Sequence, residues 1–310
     1  MIVYVASATY NANDIASHRI ASSDSQQYGH MANVHLWSDT SKPFRFRLLV
    51  PWLASFVPSF GADPDRALVV QFAAVNIIGL TVAMFAIYRI ALHYKFSSVE
   101  SAFAGLLMLS CYPVLRFGGL PMIESPAYAV LALAVLLALR RRWAWFALVM
   151  LVGMLVKETT IFAALIAVLA VSDYRGRLRV VLASIPGVAA YSVLRWMLIP
   201  TPDGFNYDLQ TAAGRFAALS HPGWFLTVTA QIVTSFGILW LFAAWGAWRN
   251  RADHVLPAYT LWAVPTIIVI AVIIHSSYGR ICFLVFPVVI LFALHGLRTS
   301  WRSLDRASVE

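Results

Sequence analysis

From Leu68 onward, apolar residues run in long, nearly unbroken stretches with little polar alternation. Nine such segments follow one another: Leu68–Leu92, Ser101–Phe117, Ser125–Leu139, Trp143–Val156, Thr159–Val171, Val180–Ile199, Gly223–Trp248, Leu256–Ile274 and Ile281–Leu297. Apolar runs of this kind read as membrane-spanning helices. Several fall short of the ~20 residues that a perpendicular span needs, which predicts short or broken helices. The stretch ahead of them, residues 1–67, is polar and aromatic. Within it, Pro43 to Phe60 reads PFRFRLLVPWLASFVPSF, with prolines at Pro51 and Pro58. It is too interrupted to span and predicts a helix lying along the headgroups. The opening MIVYVASATYNAND is too short for a span and lacks a basic leader. Either a first spanning helix precedes it, or the helices behind carry the loop across.

The pattern therefore predicts an all-α, polytopic transmembrane helical bundle of about nine membrane segments. It divides into an extracytoplasmic first loop with an interfacial helix (1–67), a transmembrane helical domain (68–297) and a cytoplasmic tail (298–310). One choice decides the count. Trp143–Val171 is either one span with Lys157 and Glu158 at its centre or two short helices meeting at a surface. A charged pair at mid-bilayer is costly, which favours two. The basic residues agree. Arg89 and Lys95, Arg140 to Arg142, Arg175 to Arg179, Arg249 and Arg251, and Arg298 to Arg306 fall in every second connection. That alternation marks those connections as cytoplasmic and keeps register only with the split reading. The other face then collects Asp14, Asp24, Asp39, Asp63, Asp65, Glu124, Glu158, Asp203 and Asp208, and is where a site is expected.

The composition agrees, with 60% hydrophobic and 12% charged residues against roughly 25% charged in soluble domains. The net charge of +9 comes from residues flanking apolar runs, so it sets orientation rather than nucleic-acid binding. Cys111 and Cys282 lie in apolar runs and read as small buried side chains. There is no Walker A, HExxH or CxxC pattern, and the spacing of His18, His30 and His35 matches no specific metal site. No metal and no cofactor is expected.

Four places carry candidate chemistry. Asp24, with Tyr28 four residues on, is placed to act as a general base on a hydroxyl. It equally suits a helix cap, since it follows two serines. Lys157-Glu158-Thr159-Thr160 is a charged pair between apolar runs, either part of a cavity or the ends of two helices. Glu124, in GGLPMIESP, opens a segment from a tight turn and faces either a cavity or solvent. Arg280 stands on the face where arginine is disfavoured, so it needs a partner: a phosphate or acidic substrate group, or a neighbouring carboxylate. Arg47 and Arg116 pose the same choice.

These features resemble the GT-C superfamily of integral-membrane glycosyltransferases, particularly small bacterial members. The resemblance rests on Asp24 with Tyr28 in a first loop, PFRFRLLVP after it, Glu124 opening a short helix, KETT between two short helices, and Arg280 ahead of a final helix containing Pro287. It implies transfer of a sugar from a polyprenyl-phosphate donor to an acceptor hydroxyl on a glycan, lipid or protein. The reaction would take place on the extracytoplasmic face of a bacterial inner membrane. Asp24 takes the catalytic acidic position. Lys157, Arg47 and Arg280 are the positions for the donor phosphate, with Tyr28, Glu124 and Glu158 beside them. Two other classes fit the same pattern, a transporter or flippase for an amphipathic solute and a non-catalytic membrane subunit. A transporter should carry its charges near mid-membrane rather than at one rim.

Overall fold

The computed structural model describes residues 23–34, 40, 44–58, 64–118, 120–198, 213–214, 217–274 and 278–307. His18, His35, Asp14, Asp39, Asp63, Asp203 and Asp208 lie outside them. The described residues form a helical bundle. Its α-helices are α1 (Ser23–Val34), α2 (Leu49–Ser55), α3 (Pro64–His93), α4 (Ser98–Ser110), α5 (Tyr112–Phe117), α6 (Glu124–Leu139) and α7 (Trp143–Val156). They continue with α8 (Ile161–Ala170), α9 (Tyr174–Val193), α10 (Pro222–Phe236), α11 (Leu239–Asp253), α12 (Ala263–Ile274), α13 (Tyr278–Cys282) and α14 (Phe286–Ala307). Short 3-10 turns join several of them, including Phe44–Phe46 and Glu158–Thr160.

Three helical stretches are long and apolar enough to cross a membrane: Ala67–His93, Tyr174–Trp196 and Gly279–Trp301. α10 and α11 pass the same test only as a pair, bent by 74°. The pattern predicts one continuous segment there, Gly223–Trp248. The chain instead breaks at Gly237, whose φ of +54° and ψ of −129° are open to glycine and strained for other residues. Ser101–Phe117 is likewise interrupted, at Cys111, whose extended backbone ends α4 and starts α5, with Pro113 in the first turn of the new helix. α4, α6, α7 and α8 are apolar but shorter.

Local signals set the helix ends. Ser97 and Glu100 form a capping box on α4, each side chain bonding the other's backbone N–H. Asp173 caps α9 by accepting from Gly176 N at 3.0 Å. Large apolar side chains cover the outside of the bundle: Ile78, Phe85, Leu226, Leu241 and Trp262 are all exposed. A surface of this kind suits lipid better than water.

The most deeply packed element is the last. Every residue from Ile281 to Gly296 is buried, so α14 is the hub of the bundle. It meets α11 at a crossing that only glycine permits. A Cβ on Gly246 would sit 1.9 Å from the Phe292 carbonyl oxygen, and one on Gly296 would sit 2.3 Å from that of Phe242. Backbones this close gain dispersion contacts along the whole crossing.

The helix directions sort the charges. α6 begins at Glu124 and ends at Arg140 to Arg142, and α7 returns to Lys157. α8 leaves from Glu158, and α9 runs from the Asp173–Arg179 region back to Tyr191 and Arg195. Glu124, Lys157 and Glu158 therefore gather at one end and the arginine-rich connections at the other. There Arg141 pairs with Asp173 at 2.7 Å.

Candidate functional site

α1 and α2 fold over the end of the bundle that holds Glu124. Tyr28, Met31 and Ala32 of α1 and Val50 and Ala54 of α2 pack with Phe72, Ile123, Ala127 and Val156. α2 leaves Trp52 and Phe56 exposed on its other side. α2 thus docks its buried face on protein and presents aromatic rings outward.

This cap brings Asp24, Tyr28 and Arg47 onto the charges of the bundle. Arg280 Nη1 donates to Asp24 Oδ2 at 2.9 Å, and its Nη2 donates to Glu124 Oε1. Lys157 Nζ donates to the same Oε1 at 2.9 Å. Arg47 faces Glu158 with two parallel bonds, Nε to Oε2 at 2.9 Å and Nη2 to Oε1. Its Nη1 donates to the Tyr28 hydroxyl at 2.7 Å. Since Lys157 and Glu158 are adjacent, the two halves form one assembly. Asp24, Tyr28, Arg47, Glu124, Lys157, Glu158 and Arg280, singled out from the sequence, stand in it. Arg116 does not: it is exposed near the end of α5, while Arg280 lies over the neighbouring Phe117 ring, its Cζ 5.1 Å from the centroid. His30 is exposed.

Backbone packing holds these groups in place. A Cβ on Gly79 of α3 would meet Pro126 N at 2.7 Å, so glycine there lets α3 close on the start of α6. Asn76 Nδ2 donates to Leu120 O at 2.7 Å and steadies the turn before Glu124. The extended backbone of Lys157 breaks α7, and the following 3-10 turn presents Glu158 to Arg47.

Burial sets the electrostatics. The Glu124 side chain is 1% exposed, Arg47 4%, Lys157 10%, Arg280 12%, Glu158 16% and Asp24 21%. Such charges persist away from water only when matched and hydrogen-bonded, as these are. Burial pushes the Glu158 carboxyl up, but Arg47 and Lys157 outweigh it and hold the group at about 2. Burial raises the Tyr28 phenol above its ordinary value, so it stays protonated.

Further residues join the site that the sequence reading did not single out. Tyr128 lies one turn beyond Glu124, buried, and neither its hydroxyl nor Glu124 Oε2 has a hydrogen-bond partner. Arg195 lies over Phe46, 5.8 Å from Cζ to ring centroid, and donates to the Tyr191 hydroxyl at 3.4 Å. A charge inside the apolar run Val180–Ile199 was its available signal. Beside this end, an apolar groove of about 520 Å³ runs between α8 and α9, lined by Ile161, Leu165, Val168, Val181, Ile185 and Val188. Ile161 follows Glu158 by three residues.

Chemically, the assembly offers a partly exposed carboxylate, cations that can meet an anion, and an apolar groove alongside. Among the described residues, no three His, Cys, Asp or Glu side chains are grouped to hold a metal ion. Cys111 and Cys282 are free and buried. No family model matches this chain, and neither curated proteins nor solved structures provide a match.

Proposed function

We propose that the protein is a membrane glycosyltransferase that moves a sugar from a polyprenyl-phosphate donor to an acceptor hydroxyl. The observation that carries this reading is the contact of Asp24 with Arg280 within an assembly that also holds Lys157, Glu124, Arg47 and Glu158. A base and phosphate-binding cations are the two components that such a transfer needs. In this reading the chain crosses a bacterial inner membrane nine times, with the assembly on the extracytoplasmic face. The basic connections at the opposite end support that orientation.

The acceptor oxygen attacks the anomeric carbon as Asp24 takes its proton. The bond from that carbon to the phosphate oxygen breaks, and its electron pair stays on the departing polyprenyl phosphate. Arg280 and Lys157 meet the charge that develops there. A single displacement inverts the anomeric centre. The α8/α9 groove gives the polyprenyl chain an apolar seat beside the assembly.

The test is transfer by membranes containing the protein, using radiolabelled sugars on polyprenyl phosphate and a panel of acceptor glycans and lipids. Label appearing in acceptor, with inverted anomeric configuration, supports the reading. No transfer with any donor, combined with solute movement into vesicles, would replace it with a transporter. Neither activity would leave a non-catalytic subunit.

A further inference from the structure

We infer that the groove between α8 and α9 takes the leading isoprene units of the donor's lipid chain, entering sideways from the bilayer, while the rest of the chain stays in lipid. This rests on the glycosyltransferase reading and names the part of the donor that the bundle recognises. The groove arises from how α9 packs. Gly187 brings α9 against α7, since a Cβ there would stand 2.9 Å from the Met150 carbonyl carbon and oxygen. Pro186 interrupts the hydrogen-bond ladder of α9 at the same level. Between α8 and α9 the lining includes the small side chains of Ala164, Ser184 and Ala189, and a gap of about 520 Å³ remains.

Continuity and shape say what fills it. Ile161 stands three residues after Glu158, and Val188 one turn before Tyr191. Tyr191 packs edge-on against Phe46, with 6.2 Å between ring centroids, and Phe46 precedes Arg47, which holds Glu158. Both walls therefore lead into the charged assembly. The occupant is an apolar chain whose polar end lies at the turn carrying Lys157 and Glu158. Ile161, Val168, Val181, Ile185 and Val188 in the lining are β-branched and restricted at χ1. Such walls hold one shape, and a preorganised site favours a chain that loses little freedom on binding. An isoprenoid, with a double bond and a methyl branch in every unit, meets that demand better than a saturated acyl chain. The groove also has an end. From Ile161 to Val168 α8 rises about 10 Å, and it stops at Ala170. That length covers the leading units of the chain and leaves the remainder unread.

The experiment measures binding of tritiated isoprenyl phosphates to the purified full-length protein in one detergent. It compares the parent with Ala164→Phe and Ala189→Phe, which fill the groove from its two sides, and with Leu226→Phe on the exposed face of α10. Size-exclusion profiles and circular dichroism check each variant for folding. The readout is the ratio of variant to parent Kd, in which partition of the probe into micelles cancels. Both groove variants should weaken farnesyl phosphate about tenfold, the scale on which an apolar pocket feels a methylene or two, and geranylgeranyl phosphate by the same factor. Straight-chain hexadecyl phosphate should lose less, and Leu226→Phe should change nothing. A ratio near one in both groove variants, with the parent binding, would overturn the groove as the seat while leaving the donor reading intact. Equal loss for hexadecyl phosphate would overturn the selection of an isoprenoid. A larger loss for geranylgeranyl than for farnesyl phosphate would overturn the limit in depth. No binding by the parent would remove both this inference and the donor reading.

Discussion

Lys157 donates to Glu124 Oε1 at 2.9 Å, tying the end of α7 to the start of α6. Oε1 also accepts from Arg280, so one buried oxygen joins three elements. Removing one member of a buried ion pair leaves a charge without a partner.

Lys157→Met should therefore destabilise the protein by about 3–5 kcal/mol. Glu124→Gln alone should do the same, because two cations lose their counter-charge. The double variant should recover part of the loss, since these side chains act as one network. Thermal unfolding in detergent micelles reads all three, and additive losses would show that the pair is uncoupled.

Asp24→Asn should lower sugar transfer by on the order of 10²–10⁴ while unfolding stays close to that of the parent. Asparagine keeps the size of aspartate and an oxygen that accepts from Arg280 but cannot take a proton, so a purely structural role would leave activity nearly unchanged. Asp173→Asn, at the other end of the bundle, is the matched control and should transfer normally.

Glu158 lies in the turn between α7 and α8, and its folded-state value is held at about 2 against an ordinary 4.5. A lowered carboxyl contributes stability that is present above the ordinary value and lost as pH falls toward the folded one. The unfolding temperatures of parent and Glu158→Gln should differ most at pH 5 to 7. The gap should close between pH 4.5 and about 2. A gap that widens on acidification would contradict the Arg47 pairing.

Gly246→Ala places a methyl group where the Phe292 carbonyl oxygen already stands. Forced separation of α11 from α14 should cost about 1–3 kcal/mol. Gly223, near which nothing lies within 4 Å, should accept alanine with little change in unfolding temperature.

Orientation has its own test. Ser172 and Ser220 are both exposed, and both native cysteines are buried, so background labelling should be low. In intact cells an impermeant maleimide should label Ser220→Cys and spare Ser172→Cys until the membrane is opened. The reverse pattern would turn the site to the cytoplasm.

Ionisable residues were the most legible part of this chain. Lys157, Glu158 and Arg280 stand out because they border apolar runs, where a charge is expensive, whereas Asp24 and Glu124 stand out as acids on the face opposite the arginine clusters. Their pairing was not legible: Asp24 and Arg280 lie 256 residues apart, and no periodicity links them. The apolar runs revealed helices but not their neighbours. A run facing lipid and a run buried in protein are equally apolar, so Ile281 to Gly296 gave no sign of being the hub. The break at Gly237 was hidden for a related reason: a lone glycine in an apolar run is as compatible with a straight helix as with a sharp turn. Arg195 sat in plain view as a charge in an apolar segment, and its stacking on Phe46 depends on a fold-back of the first loop that local sequence does not encode.

The burial of α14 has a consequence for how the protein is made. Of the described helices it leaves the ribosome last, yet the others pack around it. Until it and the preceding α13 are made, α11 lacks the partner for Gly246, and Asp24 and Glu124 lack the guanidinium of Arg280. Lys157 and Arg47 already stand beside Glu124 and Glu158 before then, so the contacts still missing are those that the last stretch brings. Closure of the α11–α14 crossing and completion of the Arg280 contacts therefore wait on the same C-terminal stretch, residues 278–307.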